Sequence, residues 1–420
     1  MTTLKQPVRA RLTMAQLRQL LAIAGALVLA IAVIALAAGL QPSGRNGRID
    51  ILNEAQVVAR LQGQDKAYPD HLRALMQAAR DQPKDLAAGL AAANGLIAEG
   101  RARGESRLVG AALGLLRPFM TNASSQTLTT AANAKQYQHD FPGALALLDQ
   151  AIALDPRDAN SYLARATIQI VTGHLDLAAA DCQAIFALAR PDVGFLCQAT
   201  SLTMTAEAPK VYDRLKAIEA APGVLDPSLR IWAISLMGEI AWLQGDAQLA
   251  RRHFSAVVAA DPLALRERLL LVDLLLGAGE AQAALDLLKV APQVDGVLIR
   301  RIKAVAMLAE APSAARQQAK NDRVELARRF KLNLDLGLTA HAREETRYFL
   351  EIAPDAGLAL QRATVNWALQ HEFEDAQLLI DAATVAGKPQ AAGPVLAWIK
   401  QQRISVPLLR IPDQVRKAAE

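Results

Sequence analysis

The chain has 420 residues, of which 52% are hydrophobic but only 4% are aromatic. Alanine and leucine supply most of the apolar content. Both are strong helix formers, whereas strands favour β-branched and aromatic residues, so the composition predicts an all-α protein. The net charge of +5 does not indicate a nucleic-acid binder, because six basic residues precede the first acidic residue, Asp50, and the remaining chain is near neutral.

The N-terminal region contains an apolar segment at residues 19–41 whose centre reads LLAIAGALVLAIAVIALAAGL. About 20 apolar residues span a bilayer as a helix, so the sequence predicts one transmembrane helix. Four basic residues precede it and two follow, and the positive-inside rule then places residues 1–18 in the cytoplasm as a basic tail. We therefore expect a single-pass protein of the bacterial inner membrane with its larger part in the periplasm. A cleaved signal peptide, with ALAAG (Ala35–Gly39) as its cleavage site, and a buried core helix are the alternatives.

The next region, residues 50–118, reads as four helices without a repeat signature. Helix stops are predicted near residues 63–69, at Gln82-Pro83 and near residues 100–104, where Gly and Pro cluster. We interpret this region as the divergent N-terminal part of the array that follows. The polar stretch at residues 117–130 is its predicted boundary, and residues 401–420 are predicted to be a C-terminal tail.

Between these ends the chain repeats a helix-stop-helix pattern. ALALLDQAIALDPRDANSYLARA (Ala144–Ala166) and AQLARRHFSAVVAADPLALRERL (Ala247–Leu269) both break at Asp-Pro. Pro cannot continue a helix and restricts the residue before it, so Asp-Pro ends one helix and the next begins at once. Units are predicted near residues 125–158, 159–192, 231–264 and 265–298. A looser copy covers 323–390, in which the helix before Pro354 matches the second helix of a unit.

The pattern resembles the tetratricopeptide repeat (TPR) family, whose units are 34-residue helix-turn-helix pairs with small residues at fixed positions and Pro after the second helix. The small residues Ala144, Ala178, Ala250 and Ala284 match the crossing points, and Gly173, Gly245 and Gly279 match the turns. The resemblance implies a right-handed superhelix of helix pairs over residues 125–400. Each repeat is then expected to touch only its neighbours.

The resemblance also implies a concave face formed by the first helix of each pair, which is a protein-binding surface rather than a catalytic site. In this register the residues expected to face the groove are Gln126, Asn133, Gln136, Tyr137, Asn160, Trp232, Glu239 and Trp242. Trp is enriched at binding hot spots, but Trp232 and Trp242 could equally pack between repeats.

The only two cysteines are Cys182 and Cys197, and both are expected on the periplasmic side. In an antiparallel helix pair they would miss being level by about 6 Å along the axis. A disulfide requires Cα atoms within about 7 Å, so the pattern leaves open whether they are bonded or are two small buried residues.

The sequence offers no catalytic, cofactor-binding or metal-binding motif. The six histidines form no ligand-spaced pair, and no phosphate-binding Gly loop or GxSxG motif occurs. The acids of HEFED (His371–Asp375) suit the start of a helix. We therefore predict a non-enzyme without cofactors that acts as a membrane-anchored scaffold for a protein or peptide partner in assembling or stabilising a cell-envelope complex.

The alternative function is that of a structural subunit packed permanently within a larger envelope machine, such as a secretion, polysaccharide-export or cytochrome-maturation system. A polar, exposed groove would favour the scaffold, and an apolar groove would favour the structural subunit. The pathway and the partner's identity do not follow from the sequence.

Overall fold

The computed structural model describes residues 68–188 and 190–418. Within these ranges the protein is all-helical and contains no β-sheet, only one isolated β-bridge between Thr205 and Ile404. The transmembrane segment predicted at residues 19–41, the tail at 1–18 and the first part of region 50–118 lie outside the described residues. No helix of the described part is long and apolar enough to span a bilayer.

The described helices follow one another with short connections. The N-terminal ten are α1 (Asp70–Asp81), α2 (Leu86–Arg103), α3 (Ser106–Leu116), α4 (Ser125–Tyr137), α5 (Phe141–Leu154), α6 (Ala159–Val171), α7 (Leu175–Ala187), α8 (Pro191–Leu202), α9 (Ala208–Ala220) and α10 (Pro227–Leu243). The rest are α11 (Ala247–Ala260), α12 (Leu265–Gly277), α13 (Ala281–Leu288), α14 (Asp295–Met307), α15 (Ser313–Leu336), α16 (Ala342–Glu351), α17 (Ala356–Trp367), α18 (Phe373–Val385), α19 (Gly393–Gln402) and α20 (Asp413–Lys417).

Local chemistry explains the helix ends. Helices α5 and α11 stop immediately before Asp155-Pro156 and Asp261-Pro262, as the pattern predicts. Asp140 and Asp246 accept hydrogen bonds from backbone N–H groups in the first turn of α5 and α11. These bonds satisfy donors that have no partner inside the helix. The stop-and-start pattern is therefore built from capping groups as well as from Pro.

The turns within helix pairs use a left-handed residue. Gly173, Gly245 and Gly279 have φ of 79°, 86° and 78°, which Gly adopts without steric cost. His139 stands 34 residues before Gly173 and adopts φ of 62° at the equivalent turn. A non-Gly residue in this region is uncommon and persists only where surrounding contacts hold it.

The helices pack as TPR-like pairs around small residues. Ala144, Ala178, Ala250 and Ala284 are all fully buried where the pairs cross. Gly238 on α10 brings the pair α10–α11 close together, since a Cβ there would lie 2.7 Å from a ring carbon of Phe254. The core extends along the array as successive clusters between neighbouring helices.

Overpacking one crossing point tests this arrangement. Ala250→Phe should lower the free energy of unfolding by about 1–3 kcal/mol or more, because the buried site has no room for a ring. Gln136→Ala, on the concave face, should change it by less than about 0.5 kcal/mol. Thermal melts of the full-length variants measure both. A parent-like melt for Ala250→Phe together with a collapsed Gln136→Ala would show that the repeat register is wrong.

The array does not remain a simple string of neighbours, which is the main difference from the sequence expectation. Its C-terminal part returns to the turns of earlier pairs, and we call this set of contacts the closure. The backbone N–H of His371 donates to Val171 O at 2.8 Å, and Trp398 Nε1 donates to Gly173 O at 3.2 Å. His139 Nδ1 lies 3.2 Å from the side-chain amide nitrogen of Gln370.

The segment expected to be a C-terminal tail takes part in the closure. The backbone N–H groups of Ser405 and Leu408 donate to Met204 O and Leu243 O, at 2.8 Å and 3.2 Å. The short helix α20 then buries Val415 against the core. Residues 403–418 are therefore an integral part of the folded array.

The closure should weaken in acid. Burial lowers the pKa of His139 and of His371 from 6.5 to about 4. Arg343 and His341 add to the effect at His139 although Glu372 opposes it, and His174 adds to it at His371. The folded state therefore holds neutral imidazoles, so this contribution to stability is complete above pH 6.5 and is lost as the pH falls towards 4.

Melting temperatures measured between pH 7.5 and 4.5 test this dependence. A variant with His139→Asn and His371→Gln should lose less stability on acidification than the parent, and Asn tolerates the left-handed backbone at position 139. His341 is left intact in both proteins, because its pKa is raised through a hydrogen bond to Asp295 and its contribution has the opposite sign. Parallel pH profiles for parent and variant would contradict the assignment to the closure.

Candidate functional site

Two neighbouring cavities lie along the face formed by the even-numbered helices. The first, which we call the amide groove, has a volume of about 530 Å³. Its lining comes from α2, α4 and α6 and from the residue that precedes α6: Leu90, Asn94, Arg101, Gln126, Thr129, Thr130, Asn133, Gln136, Asp158, Asn160, Leu163, Ala164 and Thr167. Most of these side chains are polar and uncharged, so the groove suits a ligand with hydrogen-bonding groups rather than a charged one.

The amide groove carries five side-chain amides, from Asn94, Gln126, Asn133, Gln136 and Asn160. Within the described residues none of these amides makes a hydrogen bond to another protein group. Each amide offers two N–H donors and a carbonyl acceptor. The row can therefore pair with both the N–H and the C=O groups of a ligand.

The second cavity, which we call the charged chamber, has a volume of about 500 Å³. It lies between α6, α8, α10 and α12 on one side and α14, α16 and α18 on the other, so it includes the helices that take part in the closure. Its polar and aromatic lining comprises Trp232, Ser235, Glu239, Trp242, Arg266, Glu267, Arg300, Arg343, Glu344, Arg347, Glu372, Phe373 and Glu374. Leu163 and Thr167 line both cavities, which makes the two continuous along the face.

Ion pairs between different helices organise the charged chamber. Arg343 on α16 forms a two-pronged pair with Asp375 on α18, with both N–O distances at 2.7 Å, and also contacts Glu372 at 2.5 Å. Arg347, one turn further along α16, pairs with Glu374 at 2.7 Å. The i, i+4 spacing of the two arginines puts them on one face of α16.

Electrostatics in the chamber differ between two glutamates. Burial acts to raise the pKa of Glu374, but the guanidinium groups of Arg347 and Arg343 prevail and lower it to about 2. Burial raises the pKa of Glu344, and the nearby charge of Arg343 only partly opposes this. Glu374 is therefore a neutralised partner, whereas Glu344 is a carboxylate without adequate compensation.

The structure places seven of the eight sequence-predicted groove residues in these cavities. Gln126, Asn133, Gln136 and Asn160 line the amide groove, and Trp232, Glu239 and Trp242 line the charged chamber. Tyr137 lines neither cavity, because its hydroxyl donates to Gly100 O at 3.1 Å and its ring packs into the core cluster formed largely by α2, α3 and α4. A binding role for these residues remains a prediction.

The two chamber tryptophans are half-buried and combine packing with exposure to the cavity. Trp242 stacks edge-to-face on Phe373 with ring centroids 4.9 Å apart. Glu239 pairs with Arg266 at 3.1 Å. The alternatives of packing and contact with a partner are therefore compatible at these positions.

Sequence reasoning missed the charged half of the chamber. The acids of HEFED were interpreted only as helix-start residues, and Glu372 and Asp375 do form a capping box at the start of α18. The same acids also neutralise Arg343, and the paired spacing of Arg343 and Arg347 was the available signal. Sequence reasoning also phased the last unit incorrectly: it made α16 a second helix, but α16 and α18 both line the concave face.

The structure links Cys182 on α7 to Cys197 on α8 by a disulfide, with Cα atoms 5.4 Å apart. The pair is nearly level across the turn, which the helix-offset argument had left open. Cys197 also lines the charged chamber, so the bond fixes α8 behind it. In the described part of the chain no group of three or more His, Cys, Asp or Glu side chains has the geometry of a metal site.

No model of a known protein family matches the chain, and no curated protein does either. Two solved structures are similar to it at low identity. One is a monomeric mutant of IFIT1 with Gppp-AAAA, at 10% identity over 80% of this chain and 96% of that chain, with a TM-score of 0.36. The other is the TPR domain of P58(IPK), at 12% identity over 83% of this chain and 96% of that chain, with a TM-score of 0.22. At these TM-scores the fold assignment rests on the helix pairs themselves.

Proposed function

We propose that the chain is a TPR-like interaction scaffold whose concave face binds an extended polypeptide segment of a partner protein. The row of five unsatisfied amides in the amide groove carries this proposal. An extended segment presents an N–H donor and a C=O acceptor at nearly every residue, and amide side chains satisfy both. A polar, open groove favours a scaffold that engages its partner over a subunit with a permanently filled apolar groove.

We further propose that residues 19–41 anchor this scaffold in the bacterial inner membrane, so that its concave face assembles or stabilises a cell-envelope complex in the periplasm. The uncharged segment and the basic residues around it support this orientation. A disulfide between Cys182 and Cys197 also suits an oxidising compartment. No catalytic role is proposed.

Reporter fusions after Glu420 test the orientation. Alkaline phosphatase requires disulfides and should be active when fused there, whereas a fluorescent protein that matures only in the cytoplasm should stay dark. The basic N-terminal tail, which should be retained in the cytoplasm, is the physical reason. The reverse pattern of activity would overturn the periplasmic location.

Site-specific photo-crosslinking tests the scaffold proposal in cells. A photoreactive residue at position 133, in the amide groove, should give a discrete adduct, and the cross-linked protein is then identified by mass spectrometry. The matched control is position 255, an exposed serine on α11 outside both cavities. With the partner purified, the double variant Asn133→Ala, Asn160→Ala should weaken binding at least tenfold. Equal crosslinking at 255, or unchanged binding by the variant, would contradict the proposal.

A further inference from the structure

The charged chamber has an asymmetric set of partners. Every arginine that lines it already pairs with a carboxylate: Arg266 with Glu239 at 3.1 Å, Arg300 with Asp273 at 2.5 Å, Arg343 with Glu372 at 2.5 Å and Arg347 with Glu374 at 2.7 Å. The chamber therefore offers no uncompensated cation to an anionic ligand.

Two carboxylates in the chamber lack such compensation. Within the described residues, Glu344 on α16 has no Lys, Arg or His nitrogen within 4.0 Å, and neither does Glu267 on α12. Glu267 only accepts a hydrogen bond from the hydroxyl of Ser235, at 2.7 Å. Burying a carboxylate without a cationic partner is costly, so these two side chains favour the arrival of a positive charge.

The chamber also provides aromatic faces. Trp232, Trp242 and Phe373 line the same cavity as the two free carboxylates. An ammonium or guanidinium group is attracted to the face of an aromatic ring, most strongly to that of Trp. A volume of about 500 Å³ lies in the range of ordinary ligand pockets.

We propose that the charged chamber binds the cationic head of a Lys or Arg side chain, held by Glu344 and Glu267 against Trp232 and Trp242. The side chain belongs to the polypeptide segment that occupies the amide groove, because Leu163 and Thr167 line both cavities and make them continuous. This inference rests on the proposed function and specifies the partner: a segment with a basic residue, whose backbone lies in the groove.

The test uses the purified full-length chain with a blocked pentapeptide that has lysine at its centre and alanine elsewhere. Binding is followed by the indole N–H signals of the four tryptophans. Trp232 and Trp242 should shift saturably, while Trp367 and Trp398, which are buried at the closure, should not. Glu344→Gln and Glu267→Gln should each raise Kd at least tenfold. The control Glu310→Gln, which removes an exposed carboxylate outside the chamber, should leave Kd unchanged.

Further probes separate the failure of this inference from that of the proposed function. A peptide with methionine in place of the lysine should bind at least tenfold more weakly, and butylamine, which has the cation but no backbone, should also bind more weakly. Equal binding of the methionine peptide would overturn the cation site and leave the amide groove standing. If butylamine matched the lysine peptide, the cation site would stand but the polypeptide source would be wrong. An unchanged Kd in both glutamine variants would overturn the assignment of Glu344 and Glu267.

Discussion

Replacing Glu345 with alanine is expected to lower the free energy of unfolding by about 3–5 kcal/mol. Glu345 on α16 is fully buried and pairs with Arg362 on α17, which is only 4% exposed. Asn333 on α15 donates to the same carboxylate at 2.9 Å, and Arg362 also donates to Leu338 O at 2.6 Å. Without Glu345, the guanidinium of Arg362 would stay in the core with no counter-charge.

Denaturant titration of full-length variants measures this loss. The double variant Glu345→Leu, Arg362→Met should be more stable than the single variant, because removing both charges avoids the uncompensated one. Asp335→Ala is the matched control on α15: it breaks the exposed pair with Lys331 and should cost no more than about 1 kcal/mol. A loss below about 1 kcal/mol for Glu345→Ala would contradict the buried network.

Replacing Trp398 with alanine is expected to release the closure and to cost about 3–5 kcal/mol. Trp398 on α19 is 7% exposed, and its indole donates to Gly173 O in the turn between α6 and α7. Its ring also stacks edge-to-face on Trp367 with centroids 5.4 Å apart. Truncation would remove both contacts and leave a void between the C-terminal helices and the earlier turns.

Thermal melts combined with limited proteolysis measure this effect. Protease cleavage should appear first in residues 403–411, because this segment is held through Met204 and Leu243 next to the released turn. Trp398→Phe keeps an aromatic ring and loses only the hydrogen bond, so it should cost about 1 kcal/mol from that bond. A Trp398→Ala protein with the parent's melting temperature and cleavage pattern would show that the closure contributes nothing to stability.

The concave residues of α4, α6 and α10 were predictable because position within a repeat fixes which face of the helix a residue occupies. Gln126, Asn133 and Gln136 follow directly from that phase. Tyr137 failed because it lies at the end of α4, where its hydroxyl reaches Gly100 O on α2. Asn94 on the same α2 was missed, because this helix lies in the region without the repeat signature.

The sequence by itself determined the local plan of the described chain: all-helical pairs, Asp-Pro stops, left-handed Gly turns and buried Ala at the crossings. These features depend on propensity, capping and contacts between neighbouring helices, which a 34-residue period records. Only the tertiary structure decided the closure of residues 370–411 onto the turns at 139, 173 and 204, and hence the charged chamber. The reason is physical: small rotations between units accumulate along a superhelix, and the point at which distant turns meet depends on their sum. No local pattern records that sum, so the pairing of Arg343 and Arg347 with acids of another unit could not be deduced from the residues alone.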